Sequence, residues 1–114
     1  MAFTEAELDQ IRKEMDCFIE KRRPPEHLRN KVDLAYKIDK LSIIIYEMRA
    51  RFMGEGMAEM PVAKAVYVIK DDKWKIYWQR ADLKWHLYEP KKEVKKLADF
   101  IKTVDEDKHR CFWG

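Results

Sequence analysis

Between residues 32 and 89 the chain is written mostly in a period of two, and that rhythm constrains its fold more than any other feature. Side chains of an extended strand point alternately to opposite faces, so each such run must bury one face against something else. Val32, Leu34, Tyr36 and Ile38 alternate with Lys31, Asp33, Ala35 and Lys37. A two-residue turn at Asp39-Lys40 leads into a return strand from residue 41 to about residue 52, ending at Phe52. That pairing puts Leu41, Ile43 and Ile45 on the face of Ile38, Tyr36 and Leu34, with Ser42, Ile44, Tyr46 and Met48 on the other. Gly54, Gly56 and Pro61 mark a loop that also carries Met53, Met57 and Met60.

Residues 62–70 and 74–80 then read as a second hairpin about Asp71-Asp72, followed by a short strand over 84–89 after a turn near Asp82. In this register Trp74, Ile76 and Trp78 share a face with Ala65, Tyr67, Trp85 and Leu87. The opposite face carries Val66, Val68, Tyr77, His86 and Tyr88. Trp74, Trp78, Trp85 and Ile45 are therefore expected to be largely buried on one side of the sheet.

Helical signals flank the strands. Thr4 suits an N-cap and Glu7 can close a capping box, while Phe3 and Leu8 occupy the positions of a hydrophobic staple. Leu8, Ile11, Met15, Phe18 and Ile19 recur at helical spacing, and Pro24-Pro25 ends the run, which gives a helix over about residues 5–21. Pro90 suits the first turn of a second helix over about residues 91–104, with Val94, Leu97, Ala98, Ile101 and Val104 as its apolar stripe. The tail 105–114, ending Cys111-Phe112-Trp113-Gly114, is apolar enough to dock. Consecutive strands with helices at the ends indicate an α+β fold: an antiparallel meander of about five strands over residues 28–89, flanked by an N-terminal and a C-terminal helix in one domain of 114 residues.

Charged residues make up 39% and hydrophobic residues 46% of the chain, a globular balance. No apolar run approaches the roughly 20 residues that span a bilayer, so no membrane partner is expected. Met1-Ala2-Phe3-Thr4-Glu5 lacks the basic-then-apolar build of a signal peptide, and the expected location is cytoplasmic, with Cys17 and Cys111 as free thiols. The net charge is +3. Residues 64–102 hold eleven Lys and Arg against six Asp and Glu, a mild basic bias.

Two constellations stand out. Glu47, Arg49 and Arg51 continue the face of Ile43 and Ile45, while Arg80 and Glu89 continue the tryptophan-bearing face. Charges at the end of an apolar face are costly unless paired or solvated. The bland reading is a Glu–Arg clasp closing the core, the sharper one an anion pocket of Arg49, Arg51 and Arg80, with Glu47 as a remote candidate for a general base. On the other face Tyr46, Tyr77, His86 and Tyr88 stand among Lys64, Lys75 and Gln79. Aromatic and basic side chains interleaved on an open sheet suit the stacking of unpaired bases, although a covering helix or partner subunit would use the same face. A metal site from Asp105, Asp107, His109 and Cys111, with Cys17 or His86, has no ligand-spacing motif behind it. Ser42 is the sole serine, no Gly-rich phosphate loop is present, and neither cysteine has an identified base, so no cofactor is expected.

Pro61-Val62-Ala63-Lys64, the segment Trp85-His86-Leu87-Tyr88-Glu89-Pro90 and the ending Asp107-Lys108-His109-Arg110-Cys111-Phe112-Trp113-Gly114 resemble a small bacterial family catalogued as a domain of unknown function. The likeness spans roughly residues 24–114. It implies a bacterial protein and supplies no activity, cofactor or catalytic residue. A binding or interaction module is favoured over an enzyme, with nucleic acid or another polyanion as the leading partner. A protein partner or homo-oligomer, and a small phosphate-directed enzyme such as a nuclease built on Glu47, Arg49, Arg51 and Arg80, are the alternatives.

Overall fold

A computed structural model describes residues 2–51 and 53–113; Met1, Phe52 and Gly114 lie outside the described residues. The chain is α+β, with two helices and an antiparallel sheet in meander order. Helix α1 spans Glu5–Arg22 and starts as its sequence dictates. The Thr4 hydroxyl accepts from the Glu7 backbone N–H at 3.2 Å, and the Glu7 carboxylate accepts from the Thr4 N–H at 2.9 Å. These reciprocal bonds satisfy two of the free donors at a helix start. Ile11, Met15, Phe18 and Ile19 are its buried side chains. Phe3 reaches past the staple to the sheet, its ring 5.6 Å from Trp74.

Strands β1 (Val32–Asp39) and β2 (Ser42–Ala50) pair with Ile38 opposite Ile43, Tyr36 opposite Ile45 and Leu34 opposite Glu47. The turn is therefore Lys40-Leu41 and not Asp39-Lys40, with Lys40 in the left-handed region at φ 54°. The pairing is displaced by two residues from the expected one. A two-residue displacement leaves every side chain on its own face, so Ile43 and Ile45 are fully buried all the same.

Strand β3 (Met57–Val68) is longer than its sequence implies, and Met57, Met60 and Pro61 belong to it instead of to a loop. The connection between β2 and β3 is described at residues 51 and 53–56, where Gly54 and Gly56 adopt positive φ. Proline in a strand that is paired on both sides is unusual because it has no N–H to donate. Here a bulge accommodates it: Ile45 pairs with Ala63 but Tyr46 pairs with Pro61, leaving Val62 as the extra residue. Val62 and Ala63 are consequently both buried.

Strand β4 (Lys73–Gln79) returns along β3 with Tyr67 opposite Trp74 and Ala65 opposite Ile76. Its other edge is served by two short strands in one row, β5 (Trp85–Leu87) and β6 (Glu93–Val94). Between them a single 3-10 turn, Glu89–Lys91, bows out around Pro90. Ile76 spans the gap, accepting from Tyr88 N–H at 2.8 Å and donating to the Lys92 carbonyl at 2.9 Å. Pro90 thus begins this turn and not the second helix, and Val94 pairs with Trp74 as strand. Helix α2 occupies only Leu97–Glu106, with Leu97, Phe100 and Val104 buried and Ala98 exposed.

The buried side chains of α1 and α2 form one cluster with Leu34, Ile43, Ile45, Ala63, Ala65, Trp74 and Ile76 of the sheet. Both helices lie against that single face. The tail docks there as well: Phe112 is buried with its ring 4.8 Å from Tyr88, and the Trp113 indole N–H donates to the Val104 carbonyl at 2.8 Å. The Asp107 carboxylate accepts the backbone N–H groups of Phe112 and Trp113.

Candidate functional site: the uncovered sheet face

With both helices on one side, the opposite face of the sheet is left without cover from the described residues. The ladders fix its residues row by row. Lys37, Ile44, Lys64, Tyr77 and Leu87 lie side by side across five strands. Ala35, Tyr46 and Pro61 form a neighbouring row on one side, and Gln79 with Trp85 continues the same face on β4 and β5. Ile44, Tyr46, Met48, Lys64, Val66, Lys75, Tyr77, Trp85 and Leu87 are all half-buried, their flanks packed on neighbours and their outer surfaces bare.

Lysines lie across the rings. The Lys64 ammonium is 5.5 Å from the Trp85 ring centroid and 6.0 Å from that of Tyr77, and Lys37 is 5.1 Å from Tyr46. Cation–π attraction holds each charge above the face while its apolar stem covers part of the sheet. Lys37 is neutralised by Glu59 at 2.9 Å and Lys73 by Glu93 at 3.3 Å. Lys64 and Lys75 have no ion-pair partner among the described residues. The centre of the face is therefore aromatic and positively charged.

The composition of this face differs from its sequence reading at one strand. Trp78 pairs with His86, and Tyr77 with Leu87, so β5 is shifted by one residue from the expected register. A one-residue shift exchanges faces completely. Trp85 and Leu87 join Tyr77 on the open side; His86 and Tyr88 move to the helix side. Trp74 is buried as expected, Trp78 is half-buried under the Arg80 guanidinium, and Trp85 is not a core residue. His86 is held by Asp82, Nε2 to Oδ2 at 2.9 Å, and Tyr88 is 2% exposed.

The arginine constellation does not assemble. Glu47 and Arg49 touch only loosely, at 3.3 Å and with the Arg49 side chain 59% exposed. Arg51 and Arg80 are exposed, and Arg80 lies 5.6 Å from the Trp78 ring instead of on Glu47. A cavity of about 250 Å³ beside Glu47 is lined by Arg22, Pro24, Val32, Asp33, Leu34 and Trp113, and by none of Arg49, Arg51 or Arg80. The clasp in this region is a different pair. Arg23, at the end of α1, donates from Nε and one terminal nitrogen to the two oxygens of Asp33, each at 2.8 Å. This bidentate geometry pins the helix end to the edge strand β1.

That pair sets a pH dependence. The Arg23 hydrogen bonds hold the Asp33 carboxyl below the ordinary carboxylate range, against an opposing push from burial, and the Leu34 N–H adds to the lowering. A depressed acid contributes stability that is complete above its unfolded value, near pH 3.9, and is lost as pH falls through its folded value. Asp33→Asn is expected to lower stability at neutral pH and to flatten the acid limb of the curve. Urea unfolding from about pH 6 down to about pH 3 measures this; a parallel offset at every pH would show that the carboxylate is not the source.

Cys17 and Cys111 are both free thiols. Burial, aided by Asp107, pushes the Cys111 thiol up, which disfavours a nucleophilic thiolate. Asp105 pairs with Arg22 at 2.8 Å, and Asp107 is engaged by the tail backbone. Among the described residues no group of three or more His, Cys, Asp or Glu side chains is placed to hold a metal. No described helix is long and apolar enough to cross a membrane.

A family model described as Domain of unknown function (DUF3024) matches residues 3–114. No curated protein and no solved structure matches the chain.

Proposed function

We propose that this chain, which belongs to the DUF3024 family, binds unpaired nucleic acid on the uncovered face of its sheet. One observation carries the reading: Tyr77 and Trp85 are partly exposed on neighbouring strands, with the Lys64 ammonium, which has no ion-pair partner among the described residues, within 6.0 Å of both ring centroids. A base stacks on an aromatic ring whatever its identity, and a lysine beside the ring meets the phosphate of the same nucleotide. Tyr46, two strands away, extends the platform. Gln79, beside Trp85, offers an amide to a base edge. A bacterial, cytoplasmic setting fits such a ligand and two unbridged thiols.

The proposal is tested by anisotropy titrations of labelled oligouridylate at low and near-physiological salt. Wild-type affinity is expected to fall with salt, and Lys64→Gln to reduce the slope of log K against log salt by about 0.7, the value for one single-strand phosphate contact. Salt-independent binding, or a slope unchanged by Lys64→Gln, would count against it. Ile44, Val66 and Leu87 on the same face favour a second reading, a protein partner; a dimer that forms without nucleic acid and is disrupted by Leu87→Lys would support that instead.

A further inference from the structure

On the helix side of the sheet, the 3-10 turn at Pro90 and the C-terminal end of α2 enclose a cavity of about 230 Å³ lined by Tyr88, Pro90, Lys91, Thr103, Glu106, Lys108 and His109. Tyr88 is 98% buried, yet its hydroxyl has no hydrogen-bond partner among the described residues. No described polar side-chain atom that is sealed from solvent lacks a partner, so this hydroxyl retains some access, and Tyr88 lines the cavity. A tyrosine hydroxyl in a buried position ordinarily finds a partner within the protein. Here it is left to whatever fills the cavity.

The rest of the lining defines that occupant. Lys91 and Lys108 supply two cations and the His109 ring a further N–H. Glu106 offsets part of this charge but is drawn to Lys108, at 3.9 Å. The Thr103 hydroxyl already donates to the Asp99 carbonyl at 2.7 Å, so toward the cavity it offers only acceptor capacity. Burial, with Cys111 and Asp107, pushes Tyr88 above the ordinary tyrosine range, which keeps its hydroxyl protonated and a donor. Hydroxyl, ammonium and imidazole donors lining one small space, with two lysines against one carboxylate, suit a compact oxyanion.

We infer that this cavity is a binding site for a phosphoryl group, held by the Tyr88 hydroxyl, Lys91, Lys108 and His109. The site does not rest on the nucleic-acid reading, since it opens on the face opposite Tyr46, Tyr77 and Trp85.

The test is calorimetric titration of the full chain with inorganic phosphate, glycerol phosphate and acetate. Tyr88→Phe keeps the ring against Phe112 and removes only the donor. Saturable phosphate binding is expected, weakened on the order of tenfold by Tyr88→Phe and by Lys108→Gln, with the melting temperature of Tyr88→Phe nearly unchanged. Preference for glycerol phosphate over the free ion would identify the ligand as an ester, and the reverse as the ion itself. Absence of saturable binding, equal affinity in Tyr88→Phe, or acetate binding as tightly as phosphate would each overturn the assignment.

Discussion

Trp85→Ala is expected to weaken oligouridylate binding by about 5- to 150-fold, since a base stacked on an aromatic side chain is worth about 1–3 kcal/mol. Trp85 is half-buried on the open face and contributes nothing to the helix-side core, so the unfolding midpoint should move little by comparison. Trp85→Phe retains a stacking surface and should restore most of the affinity. Tyr88→Phe, on the opposite side of the same sheet, should leave oligouridylate binding unchanged. The informative pattern is the contrast between the two faces. Equal losses in Trp85→Ala and Tyr88→Phe would point to a general disturbance of β5, and full affinity in Trp85→Ala would remove the stacking platform from consideration.

Phe100→Ala should have the largest effect on stability. Phe100 is fully buried among the side chains that join α2 to the sheet. Truncating such a residue removes its transfer free energy and leaves a cavity that the neighbours fill only partly, about 3–5 kcal/mol in total. Small domains hold about 5–15 kcal/mol against unfolding, so a large share of the margin would go. Guanidinium or urea unfolding measures the change directly. Ala98→Ser, on the exposed side of the same helix, is the control and should shift stability by less than about 0.5 kcal/mol. A loss below about 1 kcal/mol for Phe100→Ala would mean that α2 is not packed as described.

What the sequence disclosed follows from how local each determinant is. Helix α1 was legible because Thr4, Glu7 and the spacing of Ile11, Met15, Phe18 and Ile19 all act within a few residues. The faces of β1 and β2 are legible although the turn falls one residue later than the pattern implies, because alternation survives the resulting two-residue displacement of the pairing. Strand β5 was not: three residues, with bulky side chains at every position from Trp85 to Tyr88, contain no alternation strong enough to fix their register. Val94 also fits a helical stripe with Leu97, Ile101 and Val104, so periodicity alone places it in the helix. Its pairing with Trp74, reached because Ile76 bonds to residues on either side of Pro90, makes Val94 strand. The Arg23–Asp33 clasp lay beyond reach for another reason. It depends on where the Pro24-Pro25 segment delivers the chain, and nothing in the charge pattern specifies that. The arginines of the candidate site shared a face with Glu47 in the pattern, but sharing a face does not set the distance across it.

The broken row of β5 and β6 has a consequence for how this chain avoids its own kind. The outer edge of a sheet offers unpaired amide and carbonyl groups to any passing strand, the template on which edge-to-edge aggregation grows. Here that edge is three residues, an outward bow carrying a proline, and two residues more. An incoming strand could pair for only a few residues before meeting Pro90, which has no N–H to give. The bow thus protects the sheet against strand addition on this edge. Backbone pairing between copies is thereby confined to the opposite edge, β1, while on the broad face of the sheet side chains and not backbone decide what is accepted.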